Sequence, residues 1–308
     1  MRHRPAPRAL LRAAGALAGA LLTTAPLAPA AAAPPRAVVV PCGAVLTTSV
    51  RLAADVVCPG GEGLTLAADG IELNLNGHSV TGPGADPTAG TVGVRVRARD
   101  VVVRGGTVRG WTTGVLSGTH YVEEAPEGDV GGLVREVRLQ ANTTGVVSRA
   151  ESSLTVRASR LTGNRLGGHA WGWGRLLVEG STADANGTGF SAFEVEDGGF
   201  VLRGSTVRDS RGTAVSCDQD AVVVVQRSTL QRNGAGLDAF LCSARIEDSQ
   251  LRWNGRHFAS LYLVDHDRVQ VTCTSFSRDG GPLPFEAEPC AVGGRVSGTV
   301  QPLTGLPG

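Results

Sequence analysis

One short motif recurs along most of this chain and limits what it can fold into: a small polar residue, an apolar residue two positions on, and Asn or another turn former five positions on. It stands at Ser159-Leu161-Asn164, Ser181-Ala183-Asn186, Ser205-Val207-Ser210, Ser228-Leu230-Asn233, Ser249-Leu251-Asn254 and Thr274-Phe276-Asp279, in steps of 22, 24, 23, 21 and 25 residues. Looser copies lie upstream at Gly106-Val108-Trp111 and Val137-Leu139-Asn142, and Leu73, Leu75 and Val80 mark one more. A near-constant period of roughly 20 to 50 residues is the signature of a solenoid, whose repeats cannot bury their apolar faces alone and do so by stacking.

Each copy follows alternating apolar residues, as in Leu154/Val156, Leu176/Val178, Phe200/Leu202, Val223/Val225, Ala244/Ile246 and Val269/Val271. Alternation over so few residues predicts short strands, and no stretch between Val38 and Val300 sustains a helical period. Glycine follows the turn position at Gly114, Gly145, Gly167, Gly189 and Gly236, which predicts a bend using left-handed backbone. About three strands and three bends per repeat make one coil of a parallel β-helix, with equivalent residues of successive coils stacked about 4.8 Å apart. About eight or nine coils are expected, and Asn164, Asn186, Asn233 and Asn254 should bond to one another along the axis. Asn142 and Asn186 open Asn-X-Thr sequences, but both sit on this ladder and no glycosylation is inferred.

The first 33 residues read differently. Arg2, Arg4, Arg8 and Arg12 form a basic head, Ala13 to Leu22 is a short apolar run, and Ala30 to Ala33 offers small-residue cleavage sites. That is the pattern of a secretory signal peptide cleaved near Ala33, and the apolar run is shorter than a membrane-spanning helix needs. Boundaries follow: a leader over 1–33, an N-terminal cap over 34–63, the β-helix over 64–281, and a C-terminal cap and tail over 282–308. All 29 Lys+Arg residues are arginine, which excludes a Walker-type phosphate loop, a Schiff-base enzyme and a lysine nucleophile. The net charge is +1, and loss of the four leader arginines turns it to −3, a balance unsuited to nucleic acid. The 6 cysteines of an exported chain are expected to pair, and of the possible connectivities the expectation is Cys42–Cys58, Cys217–Cys242 and Cys273–Cys290. Their spacings do not match a zinc site.

On these residues the chain resembles the right-handed parallel β-helix repeats of the pectate-lyase-like superfamily, over roughly residues 38–290. Its opening is similar to exported bacterial proteins of that class, which begin with a Cys-Gly…Cys-Pro segment and a Leu-Asn-Leu-Asn-Gly-His rung, here Cys42-Gly43…Cys58-Pro59 and Leu73 to His78. The resemblance implies an all-β, right-handed parallel β-helix. It does not choose an activity, because lyases, hydrolases, epimerases and plain binding proteins share this scaffold.

Ligands of such helices usually lie along one stacked sheet, so the strand after the Asn bend is aligned from the third residue past the turn position. The fifth position then reads Arg149, Trp171, Phe193, Cys217, Phe240 and Leu261. If the second and fourth positions point inward, Trp171, Phe193 and Phe240 form an outward stripe on which sugar rings would stack, with His169, Ser191 and Asp238 beside it. If the strand bends early, those aromatics fill the core instead. Glu194 and Glu196 should stack on Asp218 and Asp220, and four such carboxylates would hold calcium or else be solvated turns. Asp265-His266-Asp267 reads as a turn, since the motif that would make it catalytic is incomplete around it. The step from Gly114 to Gly145 is about nine residues longer than a regular coil, and its insertion carries His120, Glu123, Glu124, Glu127 and Asp129, a candidate wall for a binding face or a solvated tip.

Two functions are therefore expected, both of an exported monomer. One is binding of extracellular or cell-surface polysaccharide without catalysis. The other is a calcium-assisted uronate lyase, with Glu194, Glu196, Asp218 and Asp220 on the metal and an arginine or His169 taking the α-proton.

Overall fold

A computed structural model describes residues 36–118, 130–196, 198–264 and 266–302; residues 1–35 and 119–129, Asp197, Asp265 and the last six residues lie outside the described residues. The regular secondary structure of the described residues is nearly all strand, with one 3-10 turn at Arg278–Gly280. Ten parallel strands form one sheet, in the order Val45–Leu46, Glu62–Leu66, Val92–Val96, Thr113–Ser117, Thr144–Arg149, Leu166–Trp171, Thr188–Phe193, Thr213–Asp218, Ala235–Phe240 and Arg256–Tyr262. The remaining strands form a second sheet, in which each coil typically supplies two short segments, as Arg175–Glu179 and Thr182–Asp184 do. The chain is thus a parallel β-solenoid of about ten coils, slightly more than the repeat motif predicts. The uncounted coils are N-terminal: Val45–Leu46 already pairs in parallel with Glu62–Leu66, inside the segment expected to be a cap.

Three inward columns explain the alternation in the sequence. Leu154, Leu176, Phe200, Val223, Ala244 and Val269 are all essentially buried, as are Leu161, Ala183, Val207, Leu230 and Leu251 after the next bend. The ten-stranded sheet adds Val146, Phe190, Val215 and Leu237. Gly168 occupies this last column below Phe190, where a Cβ would stand 2.9 Å from that ring. The aromatic is accommodated because its neighbour has no side chain.

The buried bends are held by side chains bonding along the axis. Asn164 Oδ1 accepts the Asn142 backbone N–H at 2.9 Å and its Nδ2 at 3.2 Å, while Asn164 Nδ2 donates to the Leu139 carbonyl at 3.0 Å. Asn186 does the same for Asn164, and Asn254 for Asn233. A parallel ladder of hydroxyls runs through Ser159, Ser181, Ser205, Ser228, Ser249 and Thr274, each accepting the N–H of the one before. Every one of these residues is buried, so the ladders satisfy polar groups that water cannot reach.

Glycine has a different job from the one expected. Gly145, Gly167 and Gly189 are not left-handed; a Cβ on Gly145 would lie 2.4 Å from the Gly167 carbonyl oxygen, and one on Gly167 2.4 Å from that of Gly189. They allow coils to approach closely. The left-handed residues instead immediately precede the turn position: Ala141, Ala185, Asp209, Arg232 and Trp253, with φ between 51° and 57°. Each costs on the order of 1 kcal/mol, which the hydrogen bonds of the following Asn or Ser offset.

All three expected cysteine pairs form. Cys42–Cys58 ties the first coil, Cys217–Cys242 links successive coils with Cα atoms 6.0 Å apart, and Cys273–Cys290 fastens the last segment. There Val269–Phe276 pairs antiparallel with Val296–Val300, which closes the end of the second sheet.

Asn164→Ala should lower stability by about 2–4 kcal/mol, because it strands the donors of Asn142 and the Leu139 carbonyl inside the protein. Gly163→Asn at the neighbouring open bend, where φ is +64° and a Cβ meets nothing within 4 Å, should stay within about 0.5 kcal/mol. Urea midpoints of the two variants check the difference.

Candidate functional site

Two adjacent columns on the outer face of the ten-stranded sheet carry the candidate site residues. Alternation puts Val146, Ser148, Val215 and Cys217 inward, so their neighbours face out. The outermost column reads Arg149, Trp171, Phe193, Asp218, Phe240 and Tyr262 in hydrogen-bonded register. Beside it runs Val147, His169, Ser191, Ser216 and Asp238. Trp171 and Phe193 are half-buried, while Phe240 and Tyr262 are 43% and 49% exposed. The aromatic stripe faces outward; the core-filling alternative does not occur.

Two members differ from the aligned sequence. Asp218, not Cys217, stands between Phe193 and Phe240, and Tyr262, not Leu261, ends the column. The first shift arises because the coil from Asn186 takes one residue more before its next strand than the turn motif counts, so that Gly189 stacks on Ala214. The second comes from a bulge after Leu237, where Ala239 pairs with Leu261. Cys217 faces inward and is consumed by its disulfide.

The same shift separates the four carboxylates. The Glu194 backbone bonds to Gln219, whose N–H in turn bonds to Phe240, and Val195 pairs with Val222. Asp218 therefore lies beside Phe193 instead of Glu194. Glu194, Glu196 and Asp220 are exposed on the bends, and among the described residues no three His, Cys, Asp or Glu side chains stand close enough to hold a metal. The expected calcium ligands are not brought together. His120, Glu123, Glu124, Glu127 and Asp129 lie outside the described residues, as does Asp265; His266 is exposed.

Charge is unevenly placed along the stripe. Arg149 holds its guanidinium carbon 6.0 Å from the Trp171 ring centre, a cation–π contact. Burial and the nearby Arg95 pull its pKa below the ordinary arginine value, and its buried Nε has no hydrogen-bond partner. Arg95 itself is paired with Glu62 through Nε at 2.6 Å. His169 stacks near Trp171, with centroids 6.4 Å apart and planes 14° off parallel. Desolvation first, then the charges of Arg149 and Arg165, push its pKa down to about 4, so the imidazole is neutral at ordinary pH. At the other end Phe240 and Tyr262 stack at 5.1 Å and 21°. Asp238 accepts the Ser260 N–H at 3.3 Å, and the buried Oδ1 of Asp218 has no partner.

The face thus combines flat apolar rings with polar atoms that the protein itself leaves unbonded. The sequence alignment put Arg149, His169, Trp171, Phe193, Asp238 and Phe240 on this face and missed Asp218 and Tyr262. In that coil the close-packed column holds Ala214 in place of glycine, so no glycine marks the register of Asp218. The chain matches no family model, no curated protein and no solved structure.

The depressed His169 pKa has a measurable consequence. Between about pH 6.5 and 4 the unfolded chain binds a proton here and the folded chain does not, so stability should fall as pH drops through that window, by on the order of 1–3 kcal/mol. His257 is also depressed by burial and adds to the same slope, so the test compares wild type with His169→Gln. Urea midpoints at pH 7, 5.5 and 4.5 should show a shallower decline in the variant.

Proposed function

We propose that this chain is an exported right-handed β-helix of the pectate-lyase-like kind that binds extracellular or cell-surface polysaccharide along the outer face of its ten-stranded sheet, as a monomer and without catalysis. The observation that carries the reading is the column Trp171, Phe193, Asp218, Phe240 and Tyr262, four outward rings and one carboxylate on a pitch of about 4.8 Å. Sugar rings have apolar C–H faces and hydroxyl edges. Aromatic rings would cover the former, while the partly exposed Asp218, Asp238, Ser191 and Ser216 on the same face supply polar groups for the latter. A periodic face suits a periodic polymer better than a compact small molecule, which prefers a concave pocket.

Three disulfides, together with the finding that no helix among the described residues is long and apolar enough to cross a membrane, fit an extracellular setting. The dispersal of Glu194, Glu196, Asp218 and Asp220 favours binding over calcium-assisted elimination, since the latter needs its carboxylates gathered on one ion.

Affinity electrophoresis against a panel of polysaccharides is the test. Phe193→Ala/Phe240→Ala should weaken binding to the preferred polymer about tenfold or more, or roughly 1.4 kcal/mol, with an unchanged far-ultraviolet spectrum. Wild-type affinity in that variant would remove the face as the site. Release of unsaturated uronate, seen as rising ultraviolet absorbance, would overturn the non-catalytic part of the reading.

A further inference from the structure

Around the corner from the stripe lies a cleft of about 380 Å³ lined by Glu151, Ser153, Trp173, Arg175, Glu196 and Gly199. The chain builds it from unequal bends. After Arg149 the backbone turns through Ala150 and Glu151, at φ 52° and 61°, and one coil later through Gly172 and Trp173, at φ 52° and 62°. The next coil makes a longer excursion, and its Gly199 comes back to accept from the Leu176 N–H at 2.7 Å. Gly174 must lie flat against the coil before it, since a Cβ there would stand 2.2 Å from the Ser148 carbonyl oxygen. Pinned in this way on one side and by its own N–H to the Glu194 carbonyl at 2.9 Å, Trp173 is left 51% exposed at the cleft.

An indole in left-handed backbone with half its surface in water is doubly unfavourable, but Trp253 shares both features on an open bend, so it is the cleft that sets Trp173 apart. Its surroundings are as uneconomical. Glu151, Arg175 and Glu196 all line the cleft, yet no side-chain salt bridge joins them or ties them to another described residue. Two carboxylates and one guanidinium converge on an exposed ring, close enough to share one ligand and too far apart to satisfy one another.

We propose that the Trp173 cleft binds a single uncharged sugar ring, and that on this protein it receives a side branch of the polysaccharide whose backbone lies along the sheet face. The indole covers the C–H face of the ring, the two glutamates accept from hydroxyls, and Arg175 donates to one, all as charge-assisted hydrogen bonds. The volume sits near the lower end of the roughly 300–1,000 Å³ typical of ligand clefts, which suits one ring and not a chain. Two negative groups against one positive disfavour a uronate. Trp171 on the face and Trp173 in the cleft are separated in the chain only by Gly172, so the cleft adjoins the stripe across one bend. The branch assignment rests on the proposed reading of the sheet face; binding of the ring does not.

Saturation-transfer NMR of the mature protein with methyl glucosides, galactosides and mannosides tests the ring, and affinity electrophoresis of branched against debranched polymer tests the branch. At least one neutral glycoside should give a signal that falls about tenfold or more in Trp173→Ala, is partly restored in Trp173→Phe, and is unchanged in Trp253→Ala, which removes an equally exposed tryptophan on an open bend. The corresponding uronic acid should bind several-fold more weakly. Trp173→Ala should also abolish the preference for branched over debranched polymer while leaving affinity for the debranched one intact. No transfer from any neutral glycoside in the wild type, or transfer that survives Trp173→Ala, overturns the ring site even if polymer binding on the face stands. A ring that binds as described beside a face that binds no polymer overturns the branch assignment.

Discussion

Coils stacked at strand spacing must dispose of the polar groups in their buried bends, and in this chain they pass them to the next coil. The Asn142–Asn164–Asn186 and Asn233–Asn254 runs and the Ser159 to Thr274 run of hydroxyls do so by bonding main chain to side chain along the axis. A buried amide or hydroxyl without a partner costs as much as a good hydrophobic contact returns, so each bend is viable only because its neighbour is there. This makes stacking obligatory, and obligatory stacking fixes which side chains turn outward. The face that carries Trp171, Phe193, Phe240 and Tyr262 is a consequence of satisfied bends elsewhere in the same coil.

The fold was legible because its determinants are local and repeated. Alternation such as Leu176/Val178 states which residues face the core, and the spacing of Ser and Asn states where bends recur, so a reader of the sequence needs only the period. The early coils carry less of the signal. Their bends use Trp111, whose backbone N–H still bonds Asn142 Oδ1 at 3.1 Å while its indole donates to the Val80 carbonyl at 3.1 Å. A buried tryptophan thus does there what Asn does later, which is why that copy of the motif is looser. The glycines were found correctly and explained wrongly, since close approach between coils and left-handed geometry both select glycine and a sequence does not distinguish them.

Register was less legible than fold. A bend can absorb one residue with little cost to the coil, but a one-residue change reverses which side chains face out. The coil between Asn186 and Ser210 does this: the turn motif advances 24 residues while the paired strand positions Phe193 and Asp218 advance 25. Asp218 moves into the aromatic column, Cys217 moves inward to meet Cys242, and the supposed match of Glu194 with Asp218 is lost. No composition or spacing rule predicts where a bend takes up its spare residue, because that depends on how the neighbouring coil packs against it.

The same freedom explains how a monotonous scaffold acquires a specific surface. Were every coil identical, each outward column would present one residue type at one pitch and would recognise any polymer of matching repeat. Here the outermost column changes along its length, from a guanidinium on an indole through Phe193 to a carboxylate and then a stacked Phe240–Tyr262 pair, and the neutral His169 lies beside its cationic end. On the proposed reading, such a gradient would distinguish the two directions of a bound chain, because a polymer reversed on the face would meet these groups in the opposite order. Directional recognition needs no catalytic group, only columns whose members differ, and the bends that let the coils differ lie off the sheet, where extra residues do not disturb the hydrogen-bonded ladders within.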